Sequence, residues 1–266
     1  MFTLKDTIYL IELAFYVPII PAIIFVILLH GVKKPHTWRP VIIPLILIAG
    51  LRIAGATLGL RSLSPDKSDL VSTATILDTI GLAPVVCLII GLLIRANAPL
   101  YRGLSLWAFI PLQVLVVAST IMTAYGGKDL YTGGKNVQRD LILMRVGIFL
   151  FISTFAIAVV LAVITVLKVN GKGYRTEWAI AVCALLSVPL MAVRLSFSTA
   201  SLFTGQDSVL NPLTNNDTGV WLHFFMVIIM EYIISFSATT AGLTARRVVT
   251  YRYTEKDDLL QEGEEP

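Results

Sequence analysis

The sequence predicts an all-α polytopic membrane protein, a bundle of seven transmembrane helices. Three observations lead there. Apolar stretches recur along the chain at about the 20-residue length needed to cross a bilayer. Of the 266 residues, 56% are hydrophobic and only 14% charged, against about 25% charged in soluble domains. The charges that remain gather mostly in short polar segments between the apolar stretches. Hydrocarbon offers backbone amides no partner, so each stretch must satisfy its own hydrogen bonds as a helix. A membrane β-barrel would alternate with a period of two, and no such alternation runs through this sequence.

The first span is expected at 7–30. It lacks a basic leader region and contains Glu12, Pro18 and Pro21, so it reads as a span and not as a cleavable signal. Lys33-Lys34-Pro35 separates it from a second span at 41–60. Ser64-Pro65-Asp66 precedes the third, 70–94, and Asn97-Ala98-Pro99 the fourth, 104–125. Gly126-Gly127 and Gly133-Gly134 read as turns before the fifth, 141–167. Asn170-Gly171 leads to the sixth, 178–204. A connection at 205–219, with Asn211-Pro212 and Asn215-Asn216, leads to the seventh, 220–245. Residues 1–245 thus form one transmembrane domain, and 246–266 a polar tail expected to be disordered and cytosolic. Within the tail, Glu255-Lys256-Asp257-Asp258-Leu259-Leu260 fits an acidic dileucine pattern. Trp107, Trp178 and Trp221 fall near span ends, where tryptophan anchors to the interface. Cys87 and Cys183 fall inside spans and read as small apolar residues, not a disulfide.

Basic residues set the expected orientation. One side takes Lys33, Lys34, Arg39, Arg95, Arg102, Lys168, Lys172, Arg175, Arg246, Arg247, Arg252 and Lys256; the other takes Lys5, Arg61, Lys67, Lys128, Lys135 and Arg139. The richer side should be cytosolic, which puts the N-terminus in the lumen or outside and the C-terminus in the cytosol. The sequon Asn216-Asp217-Thr218 then faces the lumen, where Asn216 could be glycosylated. The net charge of +4 is explained by these flanks and gives no reason to expect nucleic acid as a partner.

Six ionisable residues fall inside the spans: Glu12, Arg52, Asp78, Arg145, Arg194 and Glu231. A charge at the bilayer centre costs about 2.5–3.5 kcal/mol on insertion scales, so such residues face the bundle interior and find partners. At about 1.5 Å rise per residue all six lie in the lumenal half or near the midplane. The bland explanation is register: Arg52 pairs with Asp78, and Arg194 with Glu231. The alternative is one functional polar pocket. Small and polar neighbours fit a pocket: Arg194, Ser198 and Ser201 share a helix face, as do Thr75, Asp78 and Thr79. Gly55 and Gly59 would let a helix approach Arg52 closely. Pro44, Pro84, Pro111 and Pro189 can kink helices and widen a cavity. His223 reads as interfacial, near the end of the seventh span.

A faint internal repeat accompanies these charges. Leu51-Arg52 through Leu60 resembles Val193-Arg194 through Leu202, with an Arg five residues before a Thr and eight before a Leu in both. Each precedes a span with one internal acid, Asp78 or Glu231. A 3+1+3 parallel repeat follows, although the first and fifth spans match poorly.

No Walker loop, HExxH, CxxC pair or dinucleotide fingerprint is present, so neither a cofactor nor a metal is expected. No Lys lies deep in the seventh span, which disfavours a retinal Schiff base. The stretches Tyr9-Leu10-Ile11-Glu12, Leu51-Arg52-Ile53-Ala54-Gly55 and Ile80-Gly81-Leu82-Ala83-Pro84 belong to a chain that resembles fungal membrane-bound terpene cyclases of the ascofuranone-pathway type. The resemblance covers the whole length and architecture. It does not extend to the indole-diterpene type of membrane cyclase, whose local patterns are missing here.

That resemblance implies acid-initiated cyclisation of a prenylated, epoxidised meroterpenoid in secondary metabolism, with no redox cofactor. It casts Asp78 and Glu231, then Glu12, as acid and base. Arg52 and Arg194 would hold the carboxylates, and Tyr16 or Phe197 would face the developing cation. The partners expected are a hydrophobic small-molecule substrate and the bilayer, in the endoplasmic reticulum or another endomembrane. Oligomeric state is not indicated. Two other classes stay open: a small-molecule or lipid transporter of 3+1+3 type, and a seven-helix receptor. The short loops at 31–40, 95–103 and 168–177 give a receptor little cytosolic coupling surface.

Overall fold

The computed structural model of the chain describes residues 4–30, 37–62, 69–100, 103–132, 137–169, 175–204, 210 and 216–245. Among them there is no strand, and seven helical segments are long and apolar enough to cross a membrane. The protein is a multi-pass α-helical membrane protein. The 246–266 tail with its dileucine pattern lies outside the described residues, as do Lys33-Lys34-Pro35, Ser64-Pro65-Asp66, Gly133-Gly134, Asn170-Gly171 and Asn211-Pro212.

The first span, Leu4–His30, is two helices, α1 (Leu4–Tyr16) and α2 (Ile19–His30). They part at Val17-Pro18, where Pro18 and Pro21 each remove an amide donor. The second span is α3 (Arg39–Arg61), with Pro44 inside it. The third is again divided, into α4 (Asp69–Ile80) and α5 (Leu82–Asn97), joined at Gly81 with Pro84 one turn on. A short 3-10 turn, Leu106–Ala108, opens the fourth span, and α6 (Ile110–Thr132) follows. Pro111 therefore sits at a helix start, where its missing amide is harmless, and not at a kink. The fifth and sixth spans are α7 (Val137–Val169) and α8 (Arg175–Phe203), with Pro189 inside α8. The seventh combines α9 (Asp217–His223), a π-helical segment Phe224–Ile229, and α10 (Met230–Thr244).

The third span is the centre of the bundle, with 67% of its most apolar window buried against 28% for the first and fourth spans. Its sequence explains this. Leu82–Asn97 is apolar on all sides up to Arg95, and a helix without a polar face belongs in the interior. Val85, Leu88, Ile90, Leu92 and Leu93 are sealed there in one core cluster that also holds Leu45, Ile48 and Met191. Close approach is set by Gly91, where an added Cβ would collide with the Pro40 carbonyl at the start of α3.

The turn expected at Gly126-Gly127 is helix instead. α6 runs through both glycines, and a Cβ on Gly126 would stand 2.5 Å from the Asp140 carbonyl of α7. Glycine here serves helix contact and not chain reversal. Trp107, Trp178 and Trp221 are exposed, as interfacial anchors should be. Cys87 and Cys183 are free thiols, each half-buried.

Replacing Gly91 with alanine is expected to cost about 1–3 kcal/mol through overpacking, lowering the thermal unfolding midpoint in detergent. Gly50, whose Cβ would meet nothing within 4 Å, is the control. Its alanine variant should be neutral or slightly more stable.

Candidate functional site

Five of the six intramembrane charges converge in one network toward the end of the bundle where α1 begins. Arg52 on α3 is its hub. Its Nε donates to Glu231 Oε2 at 2.7 Å, and its Nη1 to Asp78 Oδ1 at 2.6 Å and Glu12 Oε1 at 3.1 Å. Its Nη2 lies 2.5 Å from the same Glu231 Oε2. Arg194 on α8 takes the other Glu231 oxygen, Nε donating to Oε1 at 2.7 Å. Its Nη1 donates to Ser198, and its Nη2 to the Asp78 carbonyl at 3.2 Å. The two pairs expected from sequence both exist, but Arg52 ties them into one network.

The resembling segments of the second and sixth spans thus meet on opposite oxygens of one carboxylate. Their following spans share a further trait, since the third and seventh are both interrupted close to their acids. The first and fifth remain unlike, one divided and one a continuous helix of 33 residues.

Arg145 stays outside the network, with its guanidinium 5.0 Å above the Phe203 ring. His223 is not an interfacial bystander. Its Nε2 lies 2.8 Å from Asp78 Oδ2, and its ring meets Phe197 edge-on at 5.9 Å. A carboxylate only accepts, so Nε2 carries the hydrogen of that bond. The π-helical segment begins at the next residue. Its wider turn re-aims the residues before it relative to Glu231, as such insertions often do at functional sites.

A cavity of about 810 Å³, its open mouth included, stands over this network. Its polar floor is Glu12, Arg52, Asp78 and His223, and its walls include Ile8, Leu51, Leu77, Phe197 and Ile228. Lys5 and Tyr9 also line it, and sequence reading gave neither a role in the site. Glu231 and Arg194 do not line it; they lie beneath, 0% and 2% exposed. Tyr16 is fully buried and meets Tyr232 edge-on at 6.1 Å, also away from the cavity lining. Gly55 faces the cavity with no atom within 4 Å of a Cβ. Gly59 is the close contact, since its Cβ would fall 2.5 Å from the Tyr9 ring. A side chain there would push Tyr9 out of place.

Glu12, Asp78 and Glu231 face Arg52 and Arg194, three carboxylates to two guanidiniums, and the cavity lining adds Lys5 and His223 as further groups able to carry positive charge. Glu231, gripped on both oxygens, is the structural counter-ion. Glu12, Asp78 and His223 border the cavity, where a proton can be exchanged with a ligand. Among the described residues no group of three or more His, Cys, Asp or Glu side chains is arranged to hold a metal ion.

Glu231→Gln leaves two buried guanidiniums sharing a neutral amide. Removing one partner of a buried pair costs about 3–5 kcal/mol. The variant should show a strongly lowered thermal midpoint in detergent or reduced yield of monodisperse protein. Glu12→Gln, which removes a single longer contact, should change either measure much less.

Asn216, the sequon asparagine, caps α9 by accepting from the Thr218 amide and is exposed. It lies close in sequence to Gly219, Val220 and His223 of the cavity wall. No curated protein and no solved structure matches the chain. A family model matches residues 2–248, so the chain belongs to the DUF7702 family, described as a domain of unknown function.

Proposed function

We propose that the protein is a membrane-bound enzyme that protonates and cyclises a hydrophobic substrate, of the prenylated and epoxidised aromatic class. The observation that carries this reading is the His223–Asp78 pair at the floor of an otherwise largely apolar-walled cavity. A greasy substrate would lie along Ile8, Leu51, Phe197 and Ile228 with its polar end on the floor. A proton held by the His223–Asp78 pair would pass to the epoxide oxygen. The carbon–oxygen bond then breaks toward the more substituted carbon, and an internal alkene or hydroxyl attacks the cation. A proton lost from the cyclised product returns to the carboxylates, so the step is a redox-neutral isomerisation. Phe197 is the aromatic face available to the cation. Arg52 holds Asp78 and Glu12 in place, and Glu231 with Arg194 holds Arg52.

A second reading has its own observation. The first, third and seventh spans are all interrupted, and each break lies near a residue of the network. Discontinuous helices around a site near mid-membrane are a feature of secondary transporters. The same cavity would then carry its ligand across, with the exchangeable proton as coupling ion.

Purified protein in detergent, given a panel of prenyl epoxides, should form cyclised product without cofactor. Asp78→Asn and His223→Gln should each lower turnover by at least a hundredfold while the folded protein is retained. Full turnover in either variant removes that residue from the chemistry. Product formation by no member of the panel, together with substrate flux in vesicles, would favour transport.

The charge asymmetry of the flanks supports an N-terminus in the lumen or outside. Asn216 should then carry a glycan in a eukaryotic host. Asn216→Gln would abolish an endoglycosidase-sensitive mobility shift, and absence of any shift in the unaltered chain would argue for the opposite orientation.

A further inference from the structure

A second charged cluster lies at the opposite end of the bundle. Arg95, expected from sequence in a cytosolic loop, is 0% exposed. Its guanidinium stands 5.3 Å above the ring of Trp38, itself buried. Trp38 stacks on His30 at 5.0 Å, and His30 Nε2 lies 2.9 Å from the Gly242 carbonyl. The facing acid, Glu177, comes only to 4.0 Å of Arg95 Nη1. That is an ion pair without a hydrogen bond, and among the described residues all three guanidinium nitrogens lack hydrogen-bond partners. A permanent seal would be apolar or fully paired, because unmet buried donors are destabilising. This end is closed, yet poorly satisfied while closed.

Three helical segments join this cluster to the cavity network, and each carries a proline or a helix break between the two. The second span has Trp38 at one end, Arg52 toward the other, and Pro44 between. The third has Asp78 and Arg95, with the Gly81 break and Pro84 between. The sixth has Glu177 and Arg194, with Pro189 between. The last two pairs are each 17 residues apart in sequence, about 25 Å along a helix. Proline and helix breaks are the usual places where such segments flex.

We propose that Arg95, Trp38 and Glu177 form the closed gate of a second entrance to the same cavity, facing the opposite side of the membrane. This rests on the transport reading. In the other state, flexing at Pro44, Gly81 and Pro189 would close the present mouth, while Arg95 and Glu177 separate and are hydrated. Between the two ends, Leu45, Ile48, Leu88 and Met191 form the apolar barrier that must part.

The test is thiol accessibility in full-length protein in vesicles, with Cys87 and Cys183 replaced by alanine. One reporter is Val220→Cys, on the cavity wall. The other is Ala181→Cys, fully buried one turn from Glu177. Each is alkylated by a membrane-impermeant maleimide applied to its own side. Arg95→Met or Glu177→Gln should raise labelling of Ala181→Cys at least tenfold and lower that of Val220→Cys severalfold. Either gate variant suffices if the other fails to fold. A rise at Ala181 with no fall at Val220 means local loosening and overturns the gate; so does no change at either. The measurement needs no substrate, so it stays readable if transport itself is absent. Conversely, flux in vesicles without reciprocal labelling rejects this gate and leaves the transport reading standing.

Discussion

The architecture at the site depends on one carboxylate shared by two guanidiniums. Glu231 accepts from Arg52 on one oxygen and Arg194 on the other. Those arginines come from the second and sixth spans, so a single buried residue fastens the second, sixth and seventh spans together. Arg52 then reaches outward to Asp78 and Glu12, which adds the third and first. In hydrocarbon no member of this set can leave its partners cheaply. The cavity floor is therefore anchored from below through Glu231, and Arg52 both borders the cavity and ties the spans together.

Much of this was legible in the sequence, for a physical reason. Charged residues inside apolar stretches are too costly to be incidental, so Glu12, Arg52, Asp78, Arg194 and Glu231 announce themselves. Arg145 obeys the same rule and finds an aromatic ring in place of the cluster. Span positions follow from apolar length and differ from the structure mainly at their ends. What composition could not reveal was connectivity. Nothing in the residue pattern says that Arg52 has three acidic partners, or that Glu231 lies beneath the cavity and not beside it.

Helix interruptions divide along the same line. Pro18, Pro21 and the Gly81–Pro84 pair are visible breakers, and the structure breaks there. Phe224–Ile229 contains neither glycine nor proline, so its π-helical winding left no mark. The contact of His223 with Asp78 is consequently invisible in the sequence. Gly126-Gly127 failed the other way, because glycine marks close helix contact as readily as a turn. Arg95 sits at the edge of an apolar stretch, where composition cannot distinguish a loop charge from one capped by Trp38.

The π-helical segment has a consequence for how this family can diverge. One π turn holds about one residue more than an α turn, so rewinding Phe224–Ile229 with 3.6 residues per turn at unchanged length would rotate everything before it by about 100°. His223 would then swing away from Asp78, while Glu231 and the rest of α10 stayed where they are. Losing one residue together with the wider turn would instead restore the angle, because that residue is the one the wider turn accommodates. A relative one residue shorter in this stretch, wound as plain α-helix, would keep both the arginine-bound carboxylate and the imidazole.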